Sequence, residues 1–396
     1  MTPDVPAVKP RLLVILPADV IGGAETVVFN LLTGLRGFDC ALLTQSAIAE
    51  FYRRCDIRLY LFDDWRSGQP YRLSVDNSLR YAWAIRSVVR RERPQLVLSI
   101  MHNGTLFAAL AKRLFFPDIP LAGTILGSLT GYFTSVGRGP TLLERWVIHC
   151  CLTLPNRVIV PSRGVFEDLV DAYGAAPGRL EVIYNGIDID DVRRKAGQPI
   201  ELAKDRTWIV SASRFGSQKD FPTLLAAFKD VLAHRPAKLV LVGDGELRRD
   251  IERVASEFGI REHVVLVGFR ENPFPYMAQA DIFVLSSFFE GFGNVIVEAM
   301  ALGVPVVATD CPSGPGEIIS DGENGFLVPV GDAHALADRC ATLLSDDERR
   351  SAMVRSGLDR ANQFSVGKML AAFDGYLNEI LTGARFDSLG GSSIDG

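Results

Sequence analysis

The chain has 396 residues, of which 48% are hydrophobic and 36 are glycine, and its formal net charge is −5. This length is enough for two ordinary hydrophobic cores, and the alternating strand and helix patterns predict an α/β protein. The acidic balance and the lack of a recognisable module disfavour nucleic-acid binding. No apolar run approaches about 18 residues, so the sequence predicts no membrane-spanning or exported segment.

The first predicted strand, Leu12 to Leu16, leads to two glycines, Gly22 and Gly23, at the start of an apolar-periodic helix. Paired glycines at a helix start leave room for a phosphate beside unpaired backbone N–H groups. Their spacing does not follow G-x-G-x-x-G, so a dinucleotide-binding fold is poorly supported. Both glycines are therefore candidates for contact with a phosphorylated ligand.

His102 follows another apolar strand, Leu96 to Ile100, in the half of the chain that begins with those glycines. The loops at the carboxyl ends of parallel strands face a common crevice. His102 therefore either faces that crevice or is a histidine satisfied within its own loop, and the sequence leaves both interpretations open.

A basic stripe covers residues 72–113, where eight lysines and arginines face only Asp76 and Glu92. The predicted helix from Thr141 to Leu152 adds an apolar face that includes Trp146. Together these features could form a peripheral contact with an anionic membrane. A solvated helix face and an ordinary core helix explain them equally well.

The strand from Trp208 to Ser211 leads into a glycine-containing loop that carries Arg214 and Lys219, and a helix follows from about Pro222. A guanidinium binds phosphate oxygens with two parallel hydrogen bonds, and an ammonium adds a compact charge. One such residue alone would more often be a solvated surface side chain. Together, on a loop between strand and helix, they predict a site that neutralises a departing diphosphate.

Two carboxylates follow the apolar strand Ile282 to Leu285. Glu290 lies in the next loop, and Glu298 lies about one turn into the helix after it. Carboxylates accept hydrogen bonds from sugar and ribose hydroxyls, while Gly291 and Gly293 let a ligand approach the backbone. The alternative is a buried strand-to-helix turn with one solvated Glu and one Glu that favours the helix dipole.

These motifs resemble those of glycosyltransferase family 4, whose members have the GT-B fold of two Rossmann-like domains facing a central cleft. The matching segments occur in the family's order from about residue 12 to 330. They are Gly22-Gly23-Ala24-Glu25, Tyr184-Asn185-Gly186-Ile187-Asp188, Ser213-Arg214-Phe215 with Lys219, Val242-Gly243-Asp244-Gly245, Val267-Gly268-Phe269, Glu290-x7-Glu298, and Asp321 to Val328.

The resemblance implies a glycosyltransferase that retains anomeric configuration, with the leaving diphosphate taking the proton of the acceptor hydroxyl. It implies catalytic roles for Glu290, Arg214 and Lys219. The donor-binding set that it implies is Gly22, Gly23, His102, Phe269, Gly291, Phe292, Gly293, Asn294 and Glu298. The segment Gly123 to Ser128 lacks the His or Arg often found in the family, which leaves the acceptor geometry undefined.

The loop from Asp310 to Glu317 resembles that of members that transfer UDP-linked hexoses or N-acetylhexosamines in bacterial surface-glycan assembly. The predicted donor is therefore a UDP-sugar, and the predicted acceptor is a glycan, lipid-linked in this interpretation. Arg214 and Lys219 supply the positive charge, and no Asp-x-Asp pair is placed for a divalent ion, so we expect no metal and no cofactor.

The predicted organisation is an N-terminal acceptor domain (1–190), a linker (191–206), a donor domain (207–365), a helix that crosses back to the first domain (366–385) and a disordered tail (386–396). Six cysteines without metal-ligand spacing predict reduced thiols and a cytoplasmic location, with the inner face of the membrane as one site of action.

Two other functions fit the same fold. A nucleotide-sugar epimerase would interconvert the donor without any acceptor. A catalytically silent family member would act as a binding partner in a polysaccharide complex, but it should have lost a charged site residue. Arg214, Lys219, Glu290 and Glu298 are all present, which argues against the silent alternative.

Overall fold

The computed structural model of the chain describes residues 9–18, 22–62 and 75–383. The predicted disordered tail, 386–396, lies outside these residues. Among them, the first sheet contains seven parallel strands: β1 (Arg11–Leu16), β2 (Asp39–Thr44), β3 (Arg58–Leu61), β4 (Leu96–Ser99), β5 (Leu121–Thr124), β6 (Arg157–Val160) and β7 (Leu180–Val182).

A second parallel sheet follows, with six strands in the described part of the chain: β8 (Thr207–Ala212), β9 (Ala237–Val242), β10 (Val264–Gly268), β11 (Ile282–Leu285), β12 (Val306–Thr309) and β13 (Phe326–Val328). The spatial order is β3-β2-β1-β4-β5-β6-β7 in the first sheet and β10-β9-β8-β11-β12-β13 in the second. The second sheet thus repeats the doubly wound order of the first, as predicted for two Rossmann-like halves.

Helices cover both sheets. Those of the first half are α1 (Gly23–Gly34), α2 (Ser46–Tyr52), α3 (Val75–Glu92), α4 (Met101–Phe115), α5 (Leu129–Ser135), α6 (Leu142–Thr153) and α7 (Arg163–Tyr173). Those that follow are α8 (Ile189–Ala196), α9 (Phe221–His234), α10 (Arg248–Glu257), α11 (Phe274–Ala278), α12 (Asn294–Ala301), α13 (Pro315–Ile318), α14 (Ala333–Ser345), α15 (Asp347–Gln363) and α16 (Val366–Thr382).

The strands read as continuous apolar runs because both faces of each sheet are covered. In β1, every residue from Leu12 to Leu16 is buried, and in β11 all four residues from Ile282 to Leu285 are buried. A strand buried on both faces loses the apolar and polar alternation of a half-exposed strand. All six cysteines are buried as free thiols within these cores.

Helix α8 forms the first part of the predicted linker, 191–206, and ends at Ala196. Asp188 caps its first turn by accepting a hydrogen bond from the backbone N–H of Asp191 at 3.0 Å. Ile189 and Val192, one turn apart, are buried in a core of the second domain. This part of the connection is therefore an ordered helix that packs with the second domain.

The chain passes between the domains twice, and the two passages pair with each other. Ile187 donates its N–H to Phe364 at 2.9 Å, and Val366 donates to Ile187 at 2.9 Å. Gly186 lies so close to the second passage that a Cβ would meet the Cα of Val366 at 2.7 Å. Helix α16 then buries Met369, Phe373 and Leu377 in the core of the first domain.

Candidate active site

The candidate site lies where the strand order of the second sheet reverses. Strands β8 and β11 are neighbours in space, although β9 and β10 separate them in the sequence. The loop after β8 carries Arg214 and Lys219, and the loop after β11 carries Glu290. In doubly wound sheets, ligands bind at this reversal, outside the carboxyl ends of the strands. The fold therefore brings the basic loop and the acidic loop to one crevice.

Lys219 and Glu290 form an ion pair in this crevice, with the ammonium nitrogen 2.5 Å from Oε1 of the carboxylate. The same oxygen accepts a hydrogen bond from the Ser287 hydroxyl at 2.6 Å. The amide of Gln218 donates to Oε2 at 3.4 Å and to the backbone oxygen of Phe289 at 2.7 Å. An ammonium has three donors, so Lys219 can hold Glu290 and still reach an anionic ligand.

Local sequence places Lys219 between a short turn and a helix. A 3-10 turn, Ser217–Lys219, ends at Asp220, which has a left-handed backbone with φ of 44°. Asp220 caps α9 by accepting from the N–H of Thr223 at 3.3 Å. Ser286, at the end of β11, donates its hydroxyl to the backbone oxygen of Lys219 at 2.7 Å. The position of Lys219 is thereby fixed by its own loop after β8 and by Ser286 after β11.

Arg214 lies at the start of the same loop with an exposed side chain. No hydrogen bond or ion pair joins its guanidinium to another residue in the described ranges. The next residue, Phe215, is buried, and its N–H donates to the backbone oxygen of Asp244 at 2.8 Å. The loop is therefore fixed by Phe215, while the guanidinium of Arg214 is exposed to solvent.

The loop from Gly291 to Asn294 needs glycine at two positions for different reasons. Gly293 has φ of 99°, in the left-handed region, and caps α12. Gly291 touches the first domain, because a Cβ there would lie 1.9 Å from the backbone oxygen of Leu126. Asn294, at the start of α12, accepts a hydrogen bond from the amide of Asn185 at 3.0 Å.

The side chain of Phe292 does not face the crevice. It is buried, and its ring lies 5.7 Å from that of Tyr184 and 5.2 Å from that of Phe364. Only the backbone of Phe292 therefore remains a candidate for contact with the donor. Its aromatic side chain is stabilised instead by burial in the core between the two interdomain passages.

Glu298 is partly buried in α12, apart from the Lys219–Glu290 pair. Burial raises the pKa of its carboxyl to about 7, while the positive charge of Lys195 in α8 acts in the opposite direction. Within the described residues no hydrogen bond or ion pair satisfies this carboxylate. A desolvated acceptor without a partner is suited to ligand hydroxyls.

The remaining predicted residues differ in how accessible they are to a ligand. Gly23 faces Asn294, whose amide nitrogen would be 3.4 Å from an added Cβ. The N–H of Gly22 is occupied by the carboxylate of Glu25 at 2.7 Å, so it is not free for a phosphate. His102 is exposed in the first turn of α4, and Phe269 is 60% exposed after β10.

The two domains also meet at a carboxylate that the sequence did not single out. Glu317, in α13, accepts from the N–H groups of Arg163 and Gly164 at 2.6 and 2.9 Å. These are the first two residues of α7, in the first domain, where unpaired N–H groups favour an anion. Glu317 therefore joins the second domain to the first.

Sequence reasoning also missed Ser287, Gln218 and Asn185 as neighbours of the site residues. Gln218 lies between Arg214 and Lys219, so its position in the basic loop was a usable signal. Ser287 follows β11 directly, and Asn185 belongs to a matched motif, yet only the fold shows that they hold Glu290 and Asn294.

Two facing doubly wound sheets, with a charged site at the switch point of the second, define the class of GT-B enzymes. Residues 21–191 match the protein family described as "Glycosyltransferase Family 4", and residues 192–360 match the family described as "Glycosyl transferases group 1". The lipopolysaccharide core biosynthesis glycosyltransferase LpsE of Rhizobium meliloti is 35% identical over 309 residues, which cover 76% of this chain and 85% of that protein. The chain therefore belongs to this family of glycosyltransferases, which confirms the predicted resemblance.

Other proteins agree with this assignment. The N-acetylgalactosamine-N,N'-diacetylbacillosaminyl-diphospho-undecaprenol 4-alpha-N-acetylgalactosaminyltransferase of Campylobacter jejuni is 33% identical over 229 residues, 58% of this chain and 62% of that protein. The chain thus matches about three fifths of that relative. The crystal structure of HepE from Anabaena, in complex with UDP and glucose, has a TM-score of 0.77 at 21% identity and covers 93% of this chain and 99% of that one. This likeness confirms the GT-B fold.

The raised pKa of Glu298 predicts a pH-dependent effect on stability. Its folded-state pKa, about 7, exceeds the ordinary value of 4.5, so the stability that it contributes is lost as the pH rises through 7. Glu298→Gln removes this ionisation. We expect the unfolding temperature of the variant, measured relative to that of the parent protein, to be higher at pH 8 than at pH 5. An equal difference in unfolding temperature at both pH values would contradict a raised pKa of Glu298.

Proposed function

We propose that the chain is a retaining glycosyltransferase that moves a hexose or N-acetylhexosamine from UDP to a lipid-linked glycan acceptor in cell-surface polysaccharide biosynthesis. The observation that carries the proposal is the Lys219–Glu290 pair at the switch point of the second sheet. The names of the relatives support the substrate classes: one is a lipopolysaccharide core glycosyltransferase, one acts on a diphospho-undecaprenol, and a structural neighbour holds UDP.

In the proposed reaction the bond between the anomeric carbon and the diphosphate oxygen breaks. The acceptor hydroxyl forms a bond to the same face of that carbon and passes its proton to the leaving diphosphate. Arg214 and Lys219 neutralise the charge that develops on the diphosphate, and no metal ion is assigned to this task. Glu290, held by Lys219 and Ser287, orients the donor sugar by accepting from its hydroxyls, and Glu298 accepts from the ribose.

The proposal places the enzyme in the cytoplasm, at the inner face of the membrane that carries the acceptor. Of the helices that the structure describes, none combines the length and the apolar character needed to cross a bilayer. A peripheral contact with an anionic membrane would then bring the crevice to the acceptor.

Titration with UDP, GDP and ADP, followed by thermal shift, tests the nucleotide. We expect UDP to give the largest rise in unfolding temperature, because a ligand that binds only the folded state stabilises it. Incubation with UDP-hexoses or UDP-N-acetylhexosamines and a water-soluble glycan acceptor, in EDTA, should then give transfer with retention. Interconversion of the donor without an acceptor would indicate the epimerase instead, and no turnover of any donor would refute the proposal.

A further inference from the structure

The first turn of α7 is completed by a side chain from the other domain. Ser162 caps the helix by accepting from the N–H of Val165 at 3.3 Å. The N–H groups of Arg163 and Gly164 belong to the same turn, and a helix offers such groups no partner of its own. Both donate to the carboxylate of Glu317 in the second domain, at 2.6 and 2.9 Å. We call this pair of hydrogen bonds the Glu317 contact.

Glu317 is fixed within the second domain. The guanidinium of Arg360 donates to the backbone oxygens of Glu317 and Ile318 at 2.6 and 2.9 Å, and it lies over the ring of Phe364 at 4.9 Å. Burial and the charge of Glu317 raise the pKa of Tyr184 to about 12, so the hydroxyl of Tyr184 stays protonated and donates to that carboxylate. The carboxylate is therefore presented to α7 in a defined position.

The segment just before Glu317 also touches the start of α7. An added Cβ on Gly164 would lie 2.6 Å from the Cα of Ser313 and 2.7 Å from its Cβ. Ser313 has φ of 63°, in the left-handed region that residues other than glycine adopt at a cost, where their surroundings impose it. The start of α7 thus packs on Ser313 with no space for a side chain at position 164.

Ser313 contacts Glu290 on its other side. Its hydroxyl lies 2.5 Å from the backbone oxygen of Glu290 and 2.6 Å from that of Pro312, and it donates to these carbonyl groups. Beside it, an added Cβ on Gly314 would lie 2.1 Å from the backbone oxygen of Phe292. One residue therefore joins α7 of the first domain to the backbone of the carboxylate that pairs with Lys219, through atoms in direct contact.

We propose that Glu317 is a positioning residue for glycosyl transfer. When the two domains close, its carboxylate binds the first turn of α7, and Ser313 thereby fixes the backbone of Glu290 against the donor sugar. A charged acceptor suits this task, because it binds helix N–H groups more strongly than a neutral one. The inference rests on the proposed function, since that function gives Glu290 its role toward the sugar.

Glu317→Gln tests the charge, because it keeps the length of the side chain and replaces one acceptor oxygen by an amide donor. We expect kcat to fall on the order of tenfold. The donor KM and the UDP affinity should stay at the parent's values, since Arg214 and Lys219 are untouched. A residue that served stability alone would lower the unfolding temperature and leave the kcat of the folded protein unchanged.

Gly164→Ala disturbs the same contact from the first domain, through the clash with Ser313, and should also lower kcat. Because both changes act on one contact, the double variant should be no slower than the slower single variant. Glu271→Gln is the matched control. Its carboxylate also joins the domains, by an ion pair of 3.2 Å with Arg54, but both side chains are mostly exposed. Exposed pairs contribute little, so the control should keep the parent's kcat.

Small-angle scattering tests the Glu317 contact without any transfer. We expect the radius of gyration to be larger than the parent's in Glu317→Gln and Gly164→Ala, and unchanged in Glu271→Gln. Parent-like kcat in Glu317→Gln, losses that multiply in the double variant, or an unchanged radius would each overturn the inference. The proposed function fails separately, when the parent protein gives no transfer with any donor. In that case the radius of Glu317→Gln alone supports or overturns the Glu317 contact.

Discussion

Replacing Lys219 by alanine is expected to lower kcat by on the order of 10²-fold or more, because the variant loses a preorganised cation at the point where the leaving diphosphate gains charge. Arg214→Ala should have an effect of the same order. Steady-state kinetics with the donor sugar that is active in the transfer assay measure both. Near-normal turnover in either variant would remove that residue from the mechanism.

The two variants should differ in stability. Lys219→Ala leaves the carboxylate of Glu290 mostly buried without its cation, and breaking a buried pair is destabilising. Arg214 is exposed and has no ion pair among the described residues, so Arg214→Ala should unfold at the parent's temperature.

Two controls separate catalysis from folding. Lys219→Ala/Glu290→Gln removes the unpaired charge and should recover stability without recovering kcat. Arg235→Ala removes an exposed arginine at the far end of α9 and should leave kcat unchanged. Recovery of kcat in the double variant would mean that Lys219 acts only on stability.

Gly291→Ala is expected to lower kcat by about 10²-fold while the protein still folds and binds UDP. An added Cβ would lie 1.9 Å from the backbone oxygen of Leu126 and 2.9 Å from its carbonyl carbon. Backbone atoms cannot move aside as the end of a flexible side chain can, so the clash is relieved only if the two domains move apart. A displacement of about 1 Å in a reacting group costs about this factor.

The measurements are kcat, UDP affinity by calorimetry and the radius of gyration by small-angle scattering. We expect a larger radius, an unchanged affinity and an unchanged unfolding temperature. Gly178→Ala is the matched control, since nothing lies within 4 Å of the position that a Cβ would take there. Parent-like kcat in Gly291→Ala would show that contact between Gly291 and Leu126 is not part of the active arrangement.

Local patterns were enough to predict the elements that carry the site. The strand Ile282–Leu285 has the predicted bounds, and the helix predicted from about Pro222 begins at Phe221. In each case an apolar run, a glycine-containing loop and a helix start lie within about fifteen residues, where sequence periodicity and turn chemistry act directly. The α/β class follows from such segments taken in order, and the family and the GT-B fold were implied by the resemblance of their motifs to glycosyltransferase family 4.

Two residues of the donor-binding set that the resemblance implied have other contacts in the structure. Phe292 fills the core beside Tyr184 and Phe364, and the N–H of Gly22 is satisfied by Glu25. Burial of an aromatic ring and pairing of a backbone donor are decided by neighbours that the local sequence does not name.

By itself, then, the sequence determined the α/β class and the loops on which Arg214, Lys219 and Glu290 lie, and it predicted that these side chains bind a nucleotide sugar. Only the tertiary structure decided that Lys219 meets Glu290, 71 positions away, that Gly291 touches Leu126, and that Glu317 caps α7. These contacts depend on the order of strands in a sheet and on the closure of two domains. Both result from packing between segments far apart in the chain, which short-range periodicity does not encode.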